Sequence, residues 1–111
     1  MDSDIEFPKG IMTKLQTYMT EKIAERGLSD ETLQERMILL TEEIGELAKV
    51  VRYSTGMNVN KDKKEMSKAG EEITDVLNMT FAVAIALGLN VEEEYRKKEI
   101  KNDQRTYKKA G

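Results

Sequence analysis

The sequence predicts an all-α protein: a four-helix bundle-like protomer, assembled as a homo-oligomer, whose antiparallel second and third helices carry two acidic motifs. Apolar residues recur every three to four positions in four segments, the spacing of a helix face. Residues that stop or cap helices fall between those segments, among them Gly27, Ser29, Gly56, Gly88 and Asn90. The 111 residues include one proline, and 35% are charged against 39% hydrophobic, a balance that suits a soluble helical chain and gives strands little support.

The first helix begins near Phe7-Pro8, since proline is tolerated in a first turn. Ile11, Leu15, Tyr18, Met19 and Ile23 then recur at helical spacing, and Gly27 provides a left-handed stop after Arg26. Ser29 is the expected N-cap of the second helix, with Leu28 and Leu33 at the two positions of a hydrophobic staple. Its apolar stripe runs Leu33, Met37, Leu40, Ile44, Leu47, Ala48 and Val51, and the helix ends around Tyr53. Residues 54–60 read as a loop and 61–65 as a charged helix start, a connection short enough to make the second and third helices antiparallel.

On the third helix Ala69, Ile73, Val76, Leu77, Thr80, Ala84 and Leu87 share a face, and Gly88 ends it. From Val76 to Leu89 the remaining faces are apolar too, through Met79, Phe81, Val83 and Ile85. A helix apolar all round wants to be surrounded, which places this segment at a subunit contact. Asn90 caps the fourth helix with Glu93 three residues on, and Glu92, Glu93 and Glu94 suit the positive end of the helix dipole.

The whole chain, 1–111, is the size of one domain. With neither cysteine nor histidine it excludes disulfides, thiolate catalysis, Cys/His zinc sites and histidine-based triads. Chemistry must rest on carboxylates, Lys, Arg, Tyr or hydroxyls. The acidic start Met1-Asp2-Ser3-Asp4 leads into no apolar run of the signal-peptide kind, and no stretch nears the ~20 apolar residues of a membrane span, so a cytoplasmic location is expected. A net charge of −3 gives no global attraction for nucleic acid, and no membrane partner is expected.

Two acidic clusters stand out: Glu42, Glu43 and Glu46 on the second helix, and Glu71, Glu72 and Asp75 on the third. Glu43 with Glu46, and Glu72 with Asp75, are spaced by three and project from one side of a helix. At ~100° per residue, Glu43 and Glu46 lie about 60° and 120° to one side of Leu40, bordering the apolar stripe, while Glu42 falls nearer solvent. Glu72 and Asp75 likewise sit off their stripe. Carboxylates converging from two helices repel unless a divalent cation neutralises them, and oxygen ligands point to Mg²⁺ or Mn²⁺. A Glu-Glu-x-x-Glu run is otherwise commonly a solvated helix face.

At these residues the chain resembles the MazG-like, all-α nucleoside triphosphate pyrophosphohydrolases, which are similar in turn to dimeric dUTPases and dCTP pyrophosphatases. The family pattern Glu-Glu-x-x-Glu followed by Glu-x-x-Asp reads here as Glu42, Glu43, Glu46 and then Glu72, Asp75. Lys98, Asn102 and Arg105 match a further Lys-x-x-x-Asn-x-x-Arg element, and the likeness spans roughly residues 34–105. The resemblance implies Mg²⁺ held by Glu43, Glu46, Glu72 and Asp75, with Glu42 in an auxiliary catalytic role. It also implies a triphosphate bound by Lys98, Asn102 and Arg105, and hydrolysis between the α- and β-phosphates as nucleotide-pool housekeeping. The assembly it implies is a dimer or tetramer.

Phosphoribosyl-ATP pyrophosphohydrolase shares the acidic helices and is the nearest alternative. A non-catalytic helical interaction module is the alternative from another class. For the base, Phe7, Tyr53, Asn78, Tyr95 and Tyr107 are candidates, whereas Tyr18 and Phe81 follow the apolar period and belong in the core.

Overall fold

Helices α1 (Ile11–Glu25), α2 (Leu33–Ser54), α3 (Lys63–Leu87) and α4 (Val91–Gln104) follow one another in a computed structural model, which describes residues 9–54 and 63–105. No strand occurs among the described residues. The expected helix start at Phe7-Pro8, the loop over 55–60, Lys61, Asp62 and Tyr107 lie outside them.

Two glycines end helices in the way their sequence positions suggest. Gly27 (φ 73°) and Gly88 (φ 72°) take the left-handed conformation that a Cβ penalises, which lets the chain fold back on the last carbonyls. Leu28 N–H then donates to Ile23 O at 2.9 Å and Leu89 N–H to Ala84 O at 3.0 Å. The start of α2 differs from expectation. Thr32, not Ser29, is the cap: its Oγ1 accepts from Glu35 N–H at 3.1 Å, and Glu35 Oε1 accepts from Thr32 N–H at 2.8 Å. This reciprocal pair satisfies two orphan donors at once, which a lone Ser29 hydroxyl cannot do.

α2 and α3 form the main packing pair. Arg36 of α2 reaches Ala82 of α3, while Glu43, two turns later, meets Asp75 and Glu72. Partner numbers fall as residue numbers rise, so the helices are antiparallel. The inward row of α2 is Arg36, Leu40, Glu43, Leu47 and Val50; that of α3 is Ala69, Glu72, Val76, Met79 and Val83, all buried or half-buried. Both rows step by alternating threes and fours, the spacing of a packed helix seam.

The apolar stripes expected from periodicity are wider than this seam: Leu40, Leu47, Ala69 and Val76 lie in it, while other members fall one residue further round. Met37, Ile44 and Val51 on α2, with Ile73, Leu77 and Leu87 on α3, are exposed by between 44% (Met37) and 54% (Ile73). One residue is ~100° of rotation, and on antiparallel helices whose seams face each other that step turns both outward rows to the same side of the pair. Periodicity therefore merged the inner seam with the outer apolar face, because Arg36, Glu43 and Glu72 interrupt the seam's own apolar run.

The opposite side is covered by α1. Met19 and Ile23 pack there on Phe81 and Ala82, with Met79, Ile85 and Val91 around them. Phe81, 2% exposed, is in the core as expected, and its side of the 76–89 segment meets α1 rather than a second subunit. Tyr18 is not in the core: it is half exposed, with the Lys22 ammonium 5.5 Å from its ring centroid.

α4 bends away from α3 by 98° and packs on α1. Its hold is an exchange of caps. Glu92 is 8% exposed and accepts backbone N–H bonds from Gly10 (2.7 Å), Met12 (3.1 Å) and Thr13 (3.2 Å), capping α1 from another helix. Gln16 of α1 answers, donating to Leu89 O at 2.7 Å and accepting from Val91 N–H at 2.9 Å. Asn90 caps α4 itself, accepting from Glu93 N–H at 2.9 Å.

The Gly10 N–H bond, first, and then those of Thr13 and Met12 with the charge of Arg96, hold the Glu92 carboxyl below its ordinary value against the opposing effect of burial. Its folded pKa lies under its unfolded one, so its contribution is complete above the unfolded value and is lost as pH falls through the folded value. Glu92→Gln, which puts an amide donor among backbone donors, is predicted to melt below wild type at pH 7. The difference between the two melting curves should close in acid; a constant difference across pH would contradict this role.

Candidate active site

Glu43, Glu72 and Asp75 bring one carboxylate oxygen each to within 4.8 Å of one another. The fold forces the meeting. Glu43 and Glu72 occupy seam positions of α2 and α3, and Asp75 lies one turn beyond Glu72 on the same helix. Burial first, then the charges of Asp75 and Glu72, a hydrogen bond shared with Glu72 and the charge of Glu46 push the Glu43 carboxyl above its ordinary value. Among the described residues, no donor reaches the buried Glu72 Oε1. A proton on Glu43 or a cation among the three can balance this cluster, and a hard divalent cation fits the all-oxygen donor set.

The fourth expected ligand stands at the edge of this group. Glu46 is exposed and outside the convergent trio, though close enough to disfavour ionisation of Glu43. Glu42 and Glu71 are exposed. Three of the four carboxylates expected from spacing thus converge, Glu43 and Glu72 from the seam and Asp75 from one turn beyond Glu72.

Beside the trio opens a cavity of about 150 Å³. Glu43 and Asp75 form its acidic end, and Met19 and Ile23 of α1 with Met79 and Ala82 of α3 form an apolar lining. Arg26, Leu28 and Glu31, from the end of α1 and the turn after it, close one wall, and Asn78 supplies a carboxamide. Of the residues weighed for base contact, Asn78 is here, while Tyr53 and Tyr95 are not part of the lining. Phe7 and Tyr107 lie outside the described residues. The α1 contribution had no sequence signal, since Arg26 and Glu31 belong to no motif and flank an ordinary glycine stop.

Lys98, Asn102 and Arg105 share the end of α4, away from the cavity lining. Asn102 donates to Glu99 Oε2 at 3.0 Å and accepts from Arg105 Nη1 at 3.4 Å, while Lys98 is exposed. α4 packs on α1 rather than on the acid-bearing helices. These three residues are therefore grouped with one another but not with the carboxylates.

Residues 10–108 match a family model described as dUTPase, and searches of curated proteins and of solved structures return no match.

Two consequences of the crowded trio can be measured without any substrate. The folded state holds the Glu43 proton more tightly than the unfolded state, so metal-free stability falls as pH rises from the unfolded pKa through the folded one. Glu43→Gln is predicted to remove that loss and to melt above wild type at neutral pH without metal. Mn²⁺ at a hundred times its Kd should stabilise wild type by about 2.7 kcal/mol and the variant by far less. Equal stabilisation of both proteins would place the metal elsewhere.

Proposed function

The chain belongs to the dUTPase family, hydrolases that act on nucleotides, and on that premise we propose that it is a Mg²⁺-dependent nucleoside triphosphate pyrophosphohydrolase. The reaction is cleavage between the α- and β-phosphates, giving a nucleoside monophosphate and pyrophosphate. The observation that carries this reading is the convergence of Glu43, Glu72 and Asp75 beside a cavity of about 150 Å³ lined by apolar side chains and the Asn78 carboxamide.

Glu43, Glu72 and Asp75, joined by Glu46 from the exposed edge, are the proposed metal ligands. A divalent cation held there supplies neutralisation of the phosphates and lowers the pKa of water for in-line attack on phosphorus. Asn78 offers the base both a donor and an acceptor, and the methionines around it adapt to a flat apolar face. Lys98, Asn102 and Arg105 stand apart from the carboxylates within one protomer, so their assignment to the polyphosphate rests on the family pattern, the Arg105 guanidinium being suited to two phosphate oxygens at once. Glu42, exposed beside Glu43, is assigned an auxiliary role in orienting water.

A triphosphate panel with Mg²⁺, including phosphoribosyl-ATP, tests the reading. Pyrophosphate rather than orthophosphate is the expected product from at least one nucleotide. Asp75→Asn should lower turnover by more than the ~10–100-fold that loss of an outer-shell partner costs. Absence of pyrophosphate release across the panel would reject the proposal.

We propose further that a second copy of the chain covers the outer face of α2 and α3, completing a bundle from two helix pairs. Ile44, Val51, Ile73, Leu77 and Leu87 form that face, and a contiguous apolar surface of this kind on a protein rich in charge calls for a partner. Sedimentation should show an oligomer for wild type at micromolar concentration and a folded monomer for Leu77→Glu. A monomeric wild type would remove the proposal.

A further inference from the structure

Arg36 is a buried charge that the acidic site does not use. It is 4% exposed, in the α2 row that faces α3, in a position the pattern of the helix reserves for an apolar side chain. Burying a guanidinium is costly unless its donors are met. Its Nη1 donates to Ala82 O at 2.8 Å and its Nη2 to Leu28 O at 3.4 Å, while its Nε makes no hydrogen bond among the described residues and is met only by the charge of Glu31, whose Oε1 lies 3.6 Å away. All three partners line the cavity beside the carboxylates, and Arg36 itself does not.

The partners stand on two different walls. Ala82 belongs to α3; Leu28 and Glu31 belong to the turn between α1 and α2. That turn is otherwise held locally, through the Leu28 bond to Ile23 and the Glu31 bond to Leu28. One planar, rigid fork thus spans both walls from behind, and the guanidinium geometry sets how far apart Leu28 and Ala82 stand. A lysine at this position offers one nitrogen, whose three donors diverge from a single rotating point and do not reproduce the fixed spread of the fork.

We propose that Arg36 is a specificity-determining positioning residue, which sets the width of the cavity and so selects which base the site accepts without touching the base. The proposal rests on the reading of the cavity as a nucleobase pocket. It differs from a purely structural role in what its loss changes. Destabilisation lowers the active fraction and scales every substrate equally, whereas a change of width alters the ratio between substrates of different ring size.

The test compares kcat/KM for pyrimidine and purine nucleoside triphosphates in wild type, Arg36→Lys and Arg36→Met, with Mn²⁺ binding followed alongside. The expected result is a selectivity ratio changed at least about tenfold, within the ~100-fold that an ångström of misplacement can cost, and Mn²⁺ affinity unchanged. Glu31→Gln, which weakens the third tether and leaves the fork in place, should move the ratio in the same direction, and serves if the Arg36 variants do not fold. An unchanged ratio in an active, folded variant overturns the positioning role and leaves the proposed activity standing. A wild type that hydrolyses no triphosphate overturns both.

Discussion

Everything distinctive in this fold follows from placing ionisable groups in the seam between two antiparallel helices. Arg36, Glu43 and Glu72 sit where a helix pair ordinarily buries aliphatic side chains. The pair consequently gains less from its own interface than two helices of this length could, since burial of an aliphatic side chain contributes roughly 1.5–3 kcal/mol and these positions forgo it. The missing burial is made good on the flanks: α1 lies on one side of the pair through Met19, Ile23, Phe81 and Ala82, and an apolar face of similar character remains on the other. A site that is expensive inside the protomer thus goes with an apolar surface outside it.

The same arrangement explains which parts of the molecule the sequence made legible. Four helices, their order and their antiparallel core pair follow from 3.6-residue periodicity and from Gly27, Gly88 and Asn90, whose roles depend only on near neighbours. The rotation of α2 and α3 does not. Pattern alone puts Met37, Ile44, Ile73 and Leu77 in one inward stripe with Leu40, Leu47 and Val76, whereas the fold turns them outward and the inner seam tolerates charge because Arg36 finds carbonyls and the carboxylates find one another. Ser29 lost the cap of α2 to Thr32 for a related reason: the reciprocal bond with Glu35 is a pairwise gain that a ranking of single residues does not contain.

For the site, Glu43, Glu72 and Asp75 were visible as spaced acids, and Asn78 as a polar residue in an apolar run. Their meeting is a consequence of register, with Arg36 against Ala82 setting where Glu43 arrives. What spacing could not contain is the contribution of α1. Arg26 and Glu31 reach the cavity only because α1 crosses the face of α3 that carries Phe81, and Glu92 becomes the cap of α1 only because α4 returns to it. These are contacts between residues dozens of positions apart, with no local periodicity to announce them.

Two buried ions, Arg36 and Glu92, therefore divide the work of holding α1 in place. Glu92 fixes its first turn by three backbone bonds, and Arg36 fixes the turn after its last by way of Leu28 and Glu31. Between those anchors α1 contributes a core facet of only two buried residues, Met19 and Ile23. A helix so lightly packed depends on its ends for orientation, and the wall of the cavity that it forms inherits that dependence. Polar anchors at both ends with a small apolar facet between them define where a wall stands more sharply than apolar packing alone, because hydrogen bonds to backbone have direction and hydrophobic contact does not.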